Sequence, residues 1–135
     1  IINAAKMAGI HEMILNLPNG HDTIISPTTG ALSAGQRQRL GLARALFGQP
    51  KLIILDEPNS NLDELGEREL LNSVEQVKEW GSTVIIITHR TSILTLTDKL
   101  LFLKDGFIAN FGERDQVLRS LKETNPKVAR LTPKV

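Results

Sequence analysis

The sequence contains no cysteine. That excludes a disulfide framework, a thiolate metal site and cysteine nucleophile chemistry. It also lacks a dominant charge: Lys plus Arg is 16 and Asp plus Glu is 15, for a formal charge of +1. Without a strong basic field, neither nucleic acid nor an anionic membrane surface is an expected partner. No apolar run approaches the roughly 20 residues a membrane helix needs, so the segment is expected to be soluble as written. No secretory signal pattern and no internal repeat is visible. What is present is a globular balance, 41% hydrophobic and 23% charged over 135 residues. This suits one domain, or a large piece of one, and argues against a disordered tail. The chain opens on Ile1 rather than Met, which points to an internal or C-terminal fragment or a processed product.

Periodicity gives a coarse order of elements. Ile10, Met13, Ile14 and Leu17 fall at i, i+3, i+4 and i+7 and predict one helix over residues 3–15, ended by Pro18, Asn19 and Gly20. Residues 21–31 read as a loop. A second helix is expected over 34–47, with Leu40, Ala43 and Phe47 on one face and Leu42, Ala45 and Leu46 on another. Apolar residues on two faces predict a helix covered on much of its circumference. The run Leu52-Ile53-Ile54-Leu55 suits a buried parallel strand. A third helix is expected over 64–79, with Leu70, Val74 and Val77 as its buried stripe, and then a buried, β-branched strand over 83–87. Strand, helix and strand within about 35 residues form a βαβ unit with a right-handed crossover. Asp105-Gly106 between apolar runs predicts a hairpin. A last helix over 114–121 and a loose tail over 123–135 complete the reading.

Four short segments carry chemistry. Ser33 stands where the second helix begins, and Gln36 lies three residues on. This spacing suits a capping box, in which Ser33 bonds the Gln36 amide and the Gln36 side chain reaches back. The same helix start, with Ala34 and Gly35, also suits a phosphate, because amides, dipole and hydroxyl all favour an anion there. Asp56 and Glu57 end an apolar strand, at the carboxyl edge where open α/β sheets bind ligands. Asp56 there suits Mg²⁺, and Glu57 suits a general base that polarises water. Two solvated acids at a strand end are the plain alternative. His89 follows the second strand and would share that edge, where it can donate to a γ-phosphate; the plain alternative is a structural histidine. Asn61-Leu62-Asp63 is either a contact loop or the cap of the third helix. His11 and His21 read as surface or loop histidines, and Trp80 as a residue packed at a helix end. Arg37, Arg39 and Arg44 read as a solvated face with structural ion pairs.

Together these residues resemble the ATP-binding cassette (ABC) ATPases. Leu32, Ser33, Ala34, Gly35 and Gln36 resemble the family's signature motif. Residues 52–56 resemble Walker B, with Asp56 as the Mg²⁺ acid and Glu57 as the catalytic glutamate. Ser60, Asn61, Leu62 and Asp63 resemble the D-loop, and His89 the switch histidine. The helical text with Ala4-Ala5, His11 to Ile14, Leu17-Pro18, Gly20 and Asp22-Thr23 resembles exporter ATPases. Leu55 to Asp63 resembles the type I secretion branch, which exports proteases and similar proteins. The resemblance implies an α/β fold: a P-loop NTPase-like parallel sheet with flanking helices and a small helical subdomain on the N-terminal side. It implies part of the helical subdomain at 1–49, the C-terminal part of a RecA-like catalytic subdomain at 50–122, and a loose tail at 123–135.

The resemblance also implies a mechanism. ATP and Mg²⁺ are the cofactors, and two cassettes pair head to tail, most simply as a homodimer. Residues 32–36 and 60–63 serve the nucleotide, the signature doing so in trans, while Asp56, Glu57 and His89 act on the cassette's own nucleotide. A transmembrane domain upstream in the same chain, with membrane-fusion and outer-membrane components, would place the protein at the cytoplasmic face of the inner membrane. Three departures stand out. Ala34 takes the place of the usual first signature Gly. Ser26 and Pro27 stand where exporters carry a Gly-Glu pair. No G-x-x-x-x-G-K-[ST] loop occurs in these 135 residues, so this piece alone is expected to bind ATP poorly and to be inactive. A soluble cassette ATPase of DNA repair or translation, and a non-catalytic remnant, are the competing readings.

Overall fold

The computed structural model describes residues 1–26 and 32–124. They fall into two units, residues 1–89 and the described part of 90–135. The first unit opens with two short helices, α1 (Ile2–Met7) and α2 (His11–Leu15), where the periodicity predicts one. The break is a Schellman ending. Gly9 N–H donates to Lys6 O, Ile10 N–H donates to Ala5 O, and Gly9 takes a left-handed φ of 61°. Ala5 and Ile10, the apolar pair of that motif, are both buried. A side chain at Gly9 would also strike Glu69, whose Cγ lies 2.9 Å from the position of an added Cβ.

The second helix, α3 (Ala34–Leu46), starts at Ser33 as expected. Its burial is narrower than expected. Leu42, Ala43 and Leu46 are buried, Leu40 and Ala45 only partly, and Phe47 is exposed. One face is therefore covered, not most of the circumference. Strand β1 (Leu52–Asp56), helix α4 (Glu64–Glu79) and strand β2 (Thr83–Ile87) follow. The strands pair in parallel, with Leu52 opposite Thr83 and Asp56 opposite Ile87. The predicted βαβ unit is thus present. Leu42 and Leu46 of α3, Ile53 and Leu55 of β1, and Val74 and Val77 of α4 meet around one small void. That is the core, and Leu70 of α4 belongs to it at 1% exposure. Ser73 is buried too; its hydroxyl donates to Glu69 O (2.7 Å) and lies against Met7 O, which ties α4 to the end of α1.

Neither strand is buried on both faces, which corrects the expectation from their apolar runs. Leu52, Ile54, Ile85 and Ile87 are each about half exposed, and they share one face of the ribbon by register. His11 and His21 are half-buried and face one another, with Nδ1 and Nε2 at 3.1 Å. Trp80 caps the C-terminus of α4.

The second unit is a hairpin and a helix. Strands β3 (Lys99–Lys104) and β4 (Phe107–Glu113) pair antiparallel. Asp105 and Gly106 turn the chain at φ 51° and 80°, the paired left-handed residues of a tight hairpin. Helix α5 (Arg114–Thr124) continues beyond the predicted end at 121. Glu123 and Thr124 are therefore helical rather than part of a tail, and residues 125–135 lie outside the described residues. Val117 of α5 is buried and lies by Gly112. Among the described residues, no helix is long and apolar enough to cross a membrane.

Candidate functional site

The candidate residues of the first unit converge where β1, β2 and α3 bring their ends together. The parallel register sets Asp56 beside Ile87, so the next residues of both strands leave from one edge. Asp56 is exposed there. Glu57 then turns sharply: its φ is 45°, and its N–H donates to Ile87 O at 2.8 Å. A non-glycine residue in the left-handed region costs of order 1 kcal/mol or more and persists only when its neighbours hold it. The turn aims the Glu57 carboxylate at His89, whose Nδ1 lies 2.8 Å from Oε1. Oε2, the other carboxylate oxygen, is buried and has no partner. A buried acceptor without a donor is unfavourable in a resting protein, and it suits a group waiting for a water or a ligand proton. The His89 side chain is 75% exposed, so its far face is accessible.

The helix start at Ser33 forms the full capping box. Ser33 Oγ accepts from Gln36 N–H (3.1 Å), and Gln36 Oε1 accepts from Ser33 N–H (2.8 Å). One first-turn amide is thereby satisfied within the chain, while the Ser33 hydroxyl keeps its own hydrogen as a donor. Leu32 is buried beneath this turn, and Arg37 donates to its carbonyl. Ala34 is exposed and Gly35 half-buried. A Cβ at Gly35 would sit 3.0 Å from the Asn61 carbonyl oxygen, so the absent side chain lets α3 approach that loop.

Asp63 is the N-cap of α4, accepting from Gly66 N–H at 2.8 Å. The same carboxylate lies 3.9 Å from Arg39, whose Nη1 donates to Gly9 O at 3.3 Å. Arg39 thus makes an ion pair as expected, but its side chain is only 22% exposed, not part of a solvated face, and its buried Nε has no partner. Ser60 and Asn61 are exposed and Leu62 half-buried. A cleft of about 490 Å³ opens between α3, β1 and α4, with Gln38, Arg39, Asp56, Pro58 and Leu62 among its walls. Ser26 lies among the described residues; Pro27, the other half of the replaced exporter pair, lies outside them.

Two residues of the site escaped the sequence reading. Asn59 is fully buried, with its amide oxygen accepting from Thr88 (3.2 Å) and its nitrogen 3.4 Å from Glu67. Gln38 bridges α3 to the Glu57–Asn61 loop, as set out below. Nothing in their local sequence marks either one, since both act across contacts distant in the chain.

The family model described as ABC transporter matches residues 3–60. The chain is 49% identical over 118 residues to the type I secretion system ATP-binding protein PrsD of Rhizobium meliloti. That match covers 87% of this chain and 20% of the relative. It is 40% identical to the cyclolysin secretion/processing ATP-binding protein CyaB of Bordetella pertussis, and 39% to the alpha-hemolysin translocation ATP-binding protein HlyB of Proteus vulgaris. Each of these two matches covers 87% of the chain and 16% of the relative. The chain therefore spans a fifth or less of the length of these relatives. The chain is thus similar over residues 3–60 to the ABC transporter family, and over most of its length to the ATP-binding proteins of type I secretion and toxin translocation.

Proposed function

We propose that the chain forms the C-terminal part of an ABC exporter nucleotide-binding domain. In that reading the complete protein couples ATP binding and hydrolysis to the export of a protein, by type I secretion. Residues 1–49 belong to its helical subdomain and 50–122 to its catalytic subdomain. The observation that carries the reading is Glu57: a carboxylate on a left-handed backbone turn, oriented by His89, with one buried oxygen lacking a partner.

The residues present fit the metal-facing edge of a magnesium-nucleotide site, without the phosphate loop that would cradle the nucleotide. Mg²⁺ typically takes one or two carboxylates and completes its shell with water and phosphate oxygens. Asp56, exposed at the strand end, supplies such a carboxylate. No cluster of three or more metal-ligating residues occurs among the described residues. When bound, the ion neutralises charge on the phosphates.

The chain's own groups do the rest. Glu57 Oε2 accepts a proton from the attacking water. His89 holds the carboxylate through Oε1. With Nδ1–H donating to Glu57, Nε2 donates to a phosphate oxygen only when the ring is protonated. Ser33, Gly35 and Gln36 serve the nucleotide of a second cassette, and residues 60–63 lie between the two halves. A membrane domain in the same polypeptide, and membrane-fusion and outer-membrane components, belong to the same proposal, as does a position at the cytoplasmic face of the inner membrane.

The test is Glu57→Gln in the full-length protein. It keeps the shape and removes the base, so hydrolysis is expected to slow roughly 10²- to 10⁴-fold with ATP binding retained. Near-normal turnover in that variant would remove Glu57 as the base and the reading with it.

A further inference from the structure

Gln38 stands on the second turn of α3, beyond the segment assigned to nucleotide contact. Both ends of its amide are engaged by one loop. Nε2 donates to the Glu57 carbonyl at 2.8 Å, and Oε1 accepts from Asn61 N–H at 3.1 Å. Nε2 also lies 3.4 Å from Ser60 Oγ. The primary amide is well suited to this place: it offers a donor and an acceptor side by side, as no carboxylate or amine does.

The target of that donor matters. Glu57 holds its left-handed φ of 45° against an intrinsic preference for other regions. Its peptide groups are fixed from three directions. Ile87 O takes its N–H, and its carbonyl accepts from Ser60 N–H (3.2 Å) and from Gln38. Ile87 belongs to the sheet and Ser60 to the loop itself. Gln38 is the anchor that comes from a separate helix. The approach of Gly35 to the Asn61 carbonyl brings the same helix and loop together one turn earlier.

We propose that Gln38 is a positioning residue for hydrolysis: it clamps the Glu57–Asn61 loop onto α3 and thereby fixes the direction of the Glu57 carboxylate. In this role it acts through Glu57, by its contacts to the Glu57 carbonyl and Asn61 N–H. The helix bearing Ser33 and Gln36 and the loop bearing the base then move as one piece. The inference rests on the reading of Glu57 given above.

The test compares ATP hydrolysis by the full-length protein and its Gln38→Ala, Gln38→Glu, Glu57→Gln and Gln38→Ala/Glu57→Gln variants. Misaiming a reacting group by about 1 Å lowers a rate by up to about 10²-fold. Gln38→Ala is accordingly expected to lower kcat roughly 10- to 100-fold, with KM for ATP changed by less than about threefold. Gln38→Glu keeps an acceptor for Asn61 and loses the donor to Glu57. It is expected to show the same loss of kcat, and it decides the matter if the alanine variant fails to fold. In the double variant there is no base left to misaim, so its rate should lie within about twofold of that of Glu57→Gln alone. An unchanged kcat in a folded Gln38 variant overturns the inference, and so does a double variant whose losses multiply. If Glu57→Gln itself turns over normally, the reading of Glu57 fails and the inference falls with it. If Glu57→Gln is slow and the Gln38 variants are not, only the inference fails.

Discussion

Two glycines of α3 offer a controlled comparison. Gly35 and Gly41 lie in the same helix, and replacing glycine by alanine in a helix favours folding by roughly 0.5–1 kcal/mol. Their surroundings differ. A Cβ at Gly41 meets nothing within 4 Å, whereas one at Gly35 lies 3.0 Å from the Asn61 carbonyl oxygen. That oxygen must retreat by a few tenths of an ångström, and Asn61 is held by the hydrogen bond of its N–H to Gln38. Losing or stretching such a bond costs about 1 kcal/mol, and disturbing the strained Glu57 turn adds to it. Gly41→Ala is therefore expected to stabilise by about 0.5–1 kcal/mol, and Gly35→Ala to fall about 1–2 kcal/mol below it. With a urea slope of about 1–2 kcal/mol/M, the two midpoints should separate by about 1 M. The assay is urea denaturation of the chain followed by far-ultraviolet circular dichroism. Equal midpoints, both above wild type, would show that the loop yields freely and would refute the close-approach argument.

The remaining stability predictions concern a cap and a core position. Ser33→Ala removes the oxygen that accepts from Gln36 N–H and should lower stability by about 1 kcal/mol in the same urea assay, with Ser33→Thr losing less. Leu70→Ala empties a site that is 1% exposed and should cost about 2–5 kcal/mol by thermal or urea denaturation. On the same helix Leu65 is 54% exposed, so Leu65→Ala should stay within about 0.5 kcal/mol of wild type.

Features written in a few adjacent residues were legible without the structure. Ser33 with Gln36 announced a capping box, and the box is there. Asp63 announced the cap of α4, whose expected limits at 64 and 79 match. The βαβ order and the Asp105-Gly106 hairpin were equally local. The single helix over 3–15 failed for a reason also present in the text: Gly9 follows Ala5 and precedes Ile10, the pattern of a Schellman ending. The apolar stripe from Ile10 to Leu17 lies wholly after Gly9, so extending the helix back to residue 3 passed over the glycine that separates α1 from α2.

Which residues could do chemistry is legible in the amino-acid order: a strand ending in Asp56 and Glu57, a histidine after the next strand, and a capped helix start. Backbone propensity, side-chain period and capping act within one or two turns, so they are encoded where they operate. How those residues meet depends on packing between distant segments. The left-handed turn at Glu57, the 2.8 Å contact with His89, the buried oxygen without a partner and the Gln38 clamp join segments 19 to 32 residues apart. The half-exposed strand faces belong to the same class, because an apolar run states what a residue tolerates, while burial depends on what packs against it.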